Sequence, residues 1–149
     1  MSLKQKVIAI DGPSASGKGT VASRVAEALG FLYLDSGALY RLTALYAQKQ
    51  NVAWSDEDAV STLAETLPAQ FEGSAVLLNG EDVSEQIRTE AIGMGASAVA
   101  QLPKVRAALL QRQRDFLTEK GLVADGRDIG SVIFPDAALK IFLTASANV

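Results

Sequence analysis

The residues with the clearest chemistry stand near the start of the chain, in IAIDGPSASGKGTVA from Ile8 to Ala22. Gly12, four intervening residues, then Gly17 and Lys18 spell a loop whose backbone N–H groups can converge on phosphate oxygens at a helix N-terminus. Lys18 adds a positive charge for the terminal phosphates of a nucleotide. The next residue in such loops is usually a Ser or Thr that holds magnesium; here it is Gly19, and Thr20 follows. A hydroxyl moved by one position is rotated about 100° around the helix. It can reach an inner phosphate, leaving the metal to phosphates and water. The candidate set for a nucleoside triphosphate is Gly12, Pro13, Ser14, Ala15, Ser16, Gly17, Lys18, Gly19 and Thr20.

A second group follows in DSGALYR, from Asp35 to Arg41. Ser36 and Gly37 stand at the mouth of an expected helix, where unpaired N–H groups favour an anion. Arg41 lies about 140° around the axis from Ser36, close enough for its long side chain to reach back. The pair makes a second phosphate clamp; the plainer alternative is an N-cap serine beside a solvated arginine. A third group, DGRDIGSVIFPDA from Asp125 to Ala137, packs Asp125, Arg127 and Asp128 into four residues. Charges buried there need partners.

Four apolar runs without alternation read as buried parallel strands: 7–10, 31–34, 122–124 and 139–143. The first three run into Asp11-Gly12, Asp35-Ser36-Gly37 and Asp125-Gly126. Carboxyl ends of parallel strands carry ligands, so this shared punctuation implies one cleft. Helices are expected over 18–29, with Val21, Val25, Ala28 and Leu29 on one face, and over 38–50. Ser55 and Asp58 read as a capping box for a third, closed by Pro68. A long helical stretch covers 89–120, broken near Pro103. Residues 70–84, with the turn Asn79-Gly80, read as an antiparallel hairpin. Ser97 reads as a small residue on a packed helix, Arg112 and Arg114 as a solvated face, and Trp54 as packing.

The remaining numbers narrow the chemistry. The chain has 149 residues, enough for one domain with a real core, and a net charge of −3. That balance opposes a nucleic-acid partner. There is no cysteine and no histidine, which removes thiolate metal sites and every histidine-based catalytic device. Lys, Arg, Asp, hydroxyls, backbone amides and a hard metal ion remain. Phosphoryl transfer needs little more. No run matches a signal peptide or membrane span, so a cytoplasmic protein without membrane partners is expected.

Lys-Gly-Thr at 18–20 resembles the nucleoside monophosphate kinases. DGPSASGKGT, LDSGALYR and DGRDIGSVIFPDA, in that order, together with LNGEDVSEQIRTE and PKVRAALLQRQR, resemble bacterial members of the cytidylate kinase family over essentially the whole chain. The resemblance implies a three-layer α/β P-loop kinase fold. Four of its five parallel core strands are present, flanked by helices, with a small antiparallel insert. The core would occupy about 1–54 and 103–149, and the acceptor-binding insert about 55–102. Implied roles are ATP phosphates for Gly12 to Thr20, acceptor phosphate for Ser36, Gly37, Arg41 and Arg127, and the cytosine edge for Ser97, Arg106 and Asp128. A buried Asp128 would accept from the exocyclic amine that uracil lacks. Lys18, Arg127 and Asp128 would be catalytic. ATP is the co-substrate, CMP or dCMP the acceptor, and Mg2+ the cofactor, held by phosphates and water without a direct protein ligand; the chain would act as a monomer.

The family's arginine-rich lid, final core strand and last helix have no counterpart in these residues. A fragment with low activity is therefore expected. A kinase for UMP or AMP, or a non-catalytic nucleotide-binding module, are the alternatives.

Overall fold

The computed structural model describes residues 6–13, 17–73 and 75–144. The chain divides into two compact units, Met1–Ser36 with Gln113–Val149, and Gly37–Arg112. The insert delimited by sequence, 55–102, lies wholly inside the second.

The first unit is built on a parallel sheet of four strands: β1 (Val7–Asp11), β2 (Leu32–Asp35), β6 (Leu122–Gly126) and β7 (Leu139–Phe142), in the order β2-β6-β1-β7. These are the four expected runs, and the fold is α/β. Every residue of β6 is buried, as a central strand requires. β7 departs from expectation, because Leu139 and Phe142 are exposed. Among the described residues it is an edge strand, paired with β1. Helix α1 (Lys18–Leu29) packs on β6, β2 and β1. Its buried stripe is Ala22 and Ala26 with Val25 partly covered, whereas Val21, Ala28 and Leu29 face solvent. Small alanines let the helix approach Ile10 and Val123 closely, so the larger residues are displaced from the expected face. Gly30, at φ 70°, ends the helix and donates its N–H to the Ala26 and Glu27 carbonyls.

The second unit holds helices α2 (Ser36–Lys49, entered from the first unit), α3 (Glu57–Glu65), α4 (Glu90–Ala100) and most of α5 (Pro103–Asp115, whose last three residues belong to the first unit). Asp56 caps α3 by accepting from the Ala59 N–H at 3.2 Å, replacing the expected Ser55–Asp58 box. Thr89 caps α4, and Pro103 opens α5, where its missing N–H costs nothing. The expected hairpin is a three-stranded antiparallel sheet, β3 (Ala69–Glu72), β4 (Ala75–Leu78) and β5 (Glu81–Asp82). Asn79 and Gly80, both at positive φ, make its second turn as the sequence indicates. Among the described residues no helix is long and apolar enough to cross a membrane.

Trp54 has the packing role expected of it. Its indole N–H donates to the Ala44 carbonyl at 3.0 Å, and its ring lies where a Cβ on Gly95 would have to go. A rigid ring cannot yield, so Gly95→Ala should destabilise the chain by about 1–3 kcal/mol. Urea unfolding measures this; an unchanged midpoint would contradict the packing.

Candidate functional site at the strand ends

Strand order brings three aspartates to one edge of the sheet. Asp35 stands opposite Asp125, and Asp11 opposite Gly126. Asp125 is buried at 2% exposure, and the Tyr33 hydroxyl donates to its Oδ2. Burial first, then the neighbouring Asp35 charge, pushes the Asp125 carboxyl up to about 6. The Tyr33 hydrogen bond and the Lys18 charge pull in the opposite direction. The Tyr33 phenol is held well above its ordinary range by burial and by the Asp125 charge.

Lys18, Gly19 and Thr20 form the first turn of α1. Gly17 precedes them at φ 79°, a left-handed conformation suited to glycine, and its carbonyl accepts from the Val21 N–H. A Cβ on Gly19 would lie 3.7 Å from the Tyr33 hydroxyl. A serine or threonine side chain at this position would therefore extend from a Cβ already in contact with Tyr33. Gly12 donates its N–H to the Gly126 carbonyl at 3.1 Å, tying the entry of the loop to the end of β6. Pro13 follows it; Ser14, Ala15 and Ser16 lie outside the described residues.

Beyond β6, Arg127 and Asp128 are both exposed. The expected burial of Asp128 is thus not met; Asp125 is the buried acid of this stretch. Asp128 adopts φ 61° and ψ 24° and opens a π-helical turn over Ile129–Ile133, which the sequence did not indicate. The turn is capped from another strand. Asp11 Oδ1 accepts the Ile129 N–H at 2.7 Å, and Oδ2 accepts the Gly130 N–H at 2.9 Å. Ser36 is buried at 7% and packs on Gly126: a Cβ there would meet the Ser36 Cβ at 2.7 Å and its hydroxyl at 3.3 Å. Gly126 therefore lets Ser36 lie beside the turn that carries Arg127 and Asp128. A cleft of about 420 Å3 opens next to this turn, lined by Asp11, Asp128, Gly130, Ser131 and Lys140 among others.

The other candidates belong to the second unit. Gly37 is exposed in the first turn of α2. Arg41 is half-buried; its Nη1 donates to the Ile87 carbonyl at 2.8 Å, and its guanidinium lies over Gly93. That carbonyl fixes the guanidinium in place, in contrast to a fully solvated arginine. Ser97 is exposed on α4. Arg106 is exposed, donates to the Ala100 carbonyl at 3.0 Å, and opposes the rise that burial imposes on the Tyr40 phenol. Of the two arginines expected on a solvated face, Arg112 is only partly exposed, whereas Arg114, which belongs to the first unit, is exposed as expected. Arg112 donates twice to the Leu67 carbonyl, and Arg114 to the Ile133 and Val132 carbonyls.

The roles of Tyr33 and Asp11 escaped the sequence reading. Asp11 and Asp125 were visible as strand-end punctuation. Their partners lie 92 to 119 positions away in the chain, beyond any local pattern.

A family model described as cytidylate kinase matches residues 8–149. The chain is 80% identical over 146 residues to the cytidylate kinase of Neisseria meningitidis serogroup C, covering 98% of this chain and 67% of that protein. It is 78% identical to the cytidylate kinase of Neisseria gonorrhoeae, with the same coverage. To that of Chromobacterium violaceum it is 65% identical, over 95% of this chain and 64% of the relative. The chain thus spans about two thirds of the length of these relatives.

Asp125 predicts a pH dependence. Its folded value of about 6 exceeds its ordinary 3.8, so the folded chain binds this proton more tightly. The corresponding stability is fully present below about pH 4 and is lost as pH rises through about 6, up to roughly 3 kcal/mol. Asp125→Asn should flatten the stability profile between these limits, as read by chemical unfolding at each pH. Parallel profiles for the two proteins would contradict the assignment.

Proposed function

The chain belongs to the cytidylate kinase family, and we propose that it passes the terminal phosphoryl group of ATP directly to CMP or dCMP, giving ADP and CDP or dCDP. The observation that carries this reading is the common edge of β1, β2 and β6. There Gly12 and Lys18, Ser36, and the Arg127–Asp128 turn come from three neighbouring strand ends of one unit. An enzyme of this kind needs two phosphate sites within in-line reach and little covalent chemistry of its own.

In this reading the loop Gly12 to Thr20 holds the ATP phosphates through backbone N–H groups, and Lys18 stabilises charge on the phosphoryl group in flight. Ser36, Gly37, Arg41 and Arg127 hold the acceptor phosphate. Ser97, Arg106 and Asp128 read the cytosine edge, with the Asp128 carboxylate accepting from the exocyclic amine. The exposure of Arg127 and Asp128 leaves both open to a ligand. Mg2+ would arrive with ATP, neutralise phosphate charge and be held by phosphate oxygens and water. Gly19 stands where such loops usually place a metal-binding hydroxyl, which supports leaving the ion to phosphate oxygens and water. We place the protein in the cytoplasm, acting as a monomer.

Calorimetric titration of the 149-residue chain tests the acceptor assignment. CMP should bind more tightly than UMP or AMP, and Arg127→Ala should weaken CMP about tenfold or more while sparing ATP. Lys18→Ala should lower residual ADP formation on the order of a hundredfold. A chain that binds ATP but no monophosphate would overturn the kinase reading in favour of a nucleotide-binding module.

A further inference from the structure

An aspartate at the start of a helical turn ordinarily turns its carboxylate back onto the N–H groups of that turn. Asp128 does not. It sits in the left-handed region at φ 61°, and its side chain makes no capping bond to the turn it opens. The N–H groups of Ile129 and Gly130 are taken instead by the two oxygens of Asp11. That carboxylate is held by the sheet, since Asp11 is paired with Gly126 on one side and Phe142 on the other. Gly130 is the residue that lets it approach. A Cβ there would lie 3.4 Å from Asp11 Oδ2 and 3.1 Å from the Lys140 stem.

We infer that Asp11 is a positioning residue for the acceptor base: by capping the turn from a neighbouring strand, it keeps the Asp128 carboxylate off its own backbone and presented to an amine-bearing pyrimidine. The inference rests on the assignment of Asp128 to the cytosine ring. It makes Asp11 the joint between the two substrates, because the residue that follows it, Gly12, opens the ATP loop. Without the borrowed cap, Asp128 has two orphan N–H groups within a turn of its own side chain, and its carboxylate swings onto them.

Asp11→Asn keeps one acceptor oxygen and loses the second together with the charge. CMP, UMP and ATP are titrated calorimetrically into the 149-residue chain and into Asp11→Asn, Asp128→Ala and the double variant. Asp11→Asn should weaken CMP about tenfold with a smaller loss for UMP, so that the preference between them collapses. The double variant should bind CMP no more weakly than Asp128→Ala alone, because both changes remove one function. Equal losses for CMP and UMP, or additive losses in the double variant, would show a merely structural residue and overturn the inference. A parent chain that binds no CMP sinks the acceptor assignment itself, whereas a parent that discriminates normally beside an equally discriminating Asp11→Asn sinks only the role of Asp11. If Asp11→Asn does not fold, Asp11→Ser, which keeps a short uncharged oxygen, is read in the same way.

Discussion

Three neighbouring parallel strands, β2, β6 and β1, each carry an aspartate at or one residue before their carboxyl end, and the crowding of negative charge that results governs the rest of the site. Carboxylates this close raise one another's proton affinity unless each finds a donor. Asp11 finds the Ile129 and Gly130 N–H groups. Asp125 takes the Tyr33 hydroxyl and is drawn toward neutrality by burial. Lys18, on the first turn of α1, supplies a positive charge that Asp125 senses. With no histidine or cysteine in the chain, this balance of carboxylates, N–H groups and cations is the site's chemical capital.

The same constraint explains local geometry that would otherwise look arbitrary. Asp128 tolerates a left-handed backbone, which costs a non-glycine residue on the order of 1–2 kcal/mol, because the turn after it is capped by charge-assisted bonds. Gly126 must lack a side chain because Ser36 and Ile129 occupy the space. Gly19, which departs from the usual serine or threonine of a phosphate loop, lies against the Tyr33 hydroxyl that serves Asp125. A residue that looks like a damaged motif in isolation is thus in register with its surroundings.

Much of the architecture was legible in the residues. β1, β2 and β6 announce themselves as apolar runs without alternation, β6 because it is buried throughout, and the Asp at or near the end of each points to the ligand edge. Pro103 divides two helices as its chemistry demands. Other features depend on partners far along the chain. The π-helical turn exists because Asp11 caps it across 118 positions, and no local pattern encodes that. The α1 face was misjudged because close approach to the sheet favours Ala22 and Ala26 over the larger Val21 and Leu29. The partial burial of Arg112 is not legible because a backbone carbonyl, unlike an acidic side chain, leaves no trace in the sequence as its partner. The burial expected of Asp128 belongs to Asp125, three residues earlier.

The central claim is that one edge of the parallel sheet gathers both nucleotides. Amide NMR of the 149-residue chain, titrated with a single ligand that joins adenosine and cytidine through a phosphate bridge, tests it most directly. The shifts should concentrate at Gly17–Thr20, Ser36–Gly37 and Gly126–Asp128. Shifts confined to the ATP loop, or centred on the antiparallel strands at Ala69–Asp82, would contradict it.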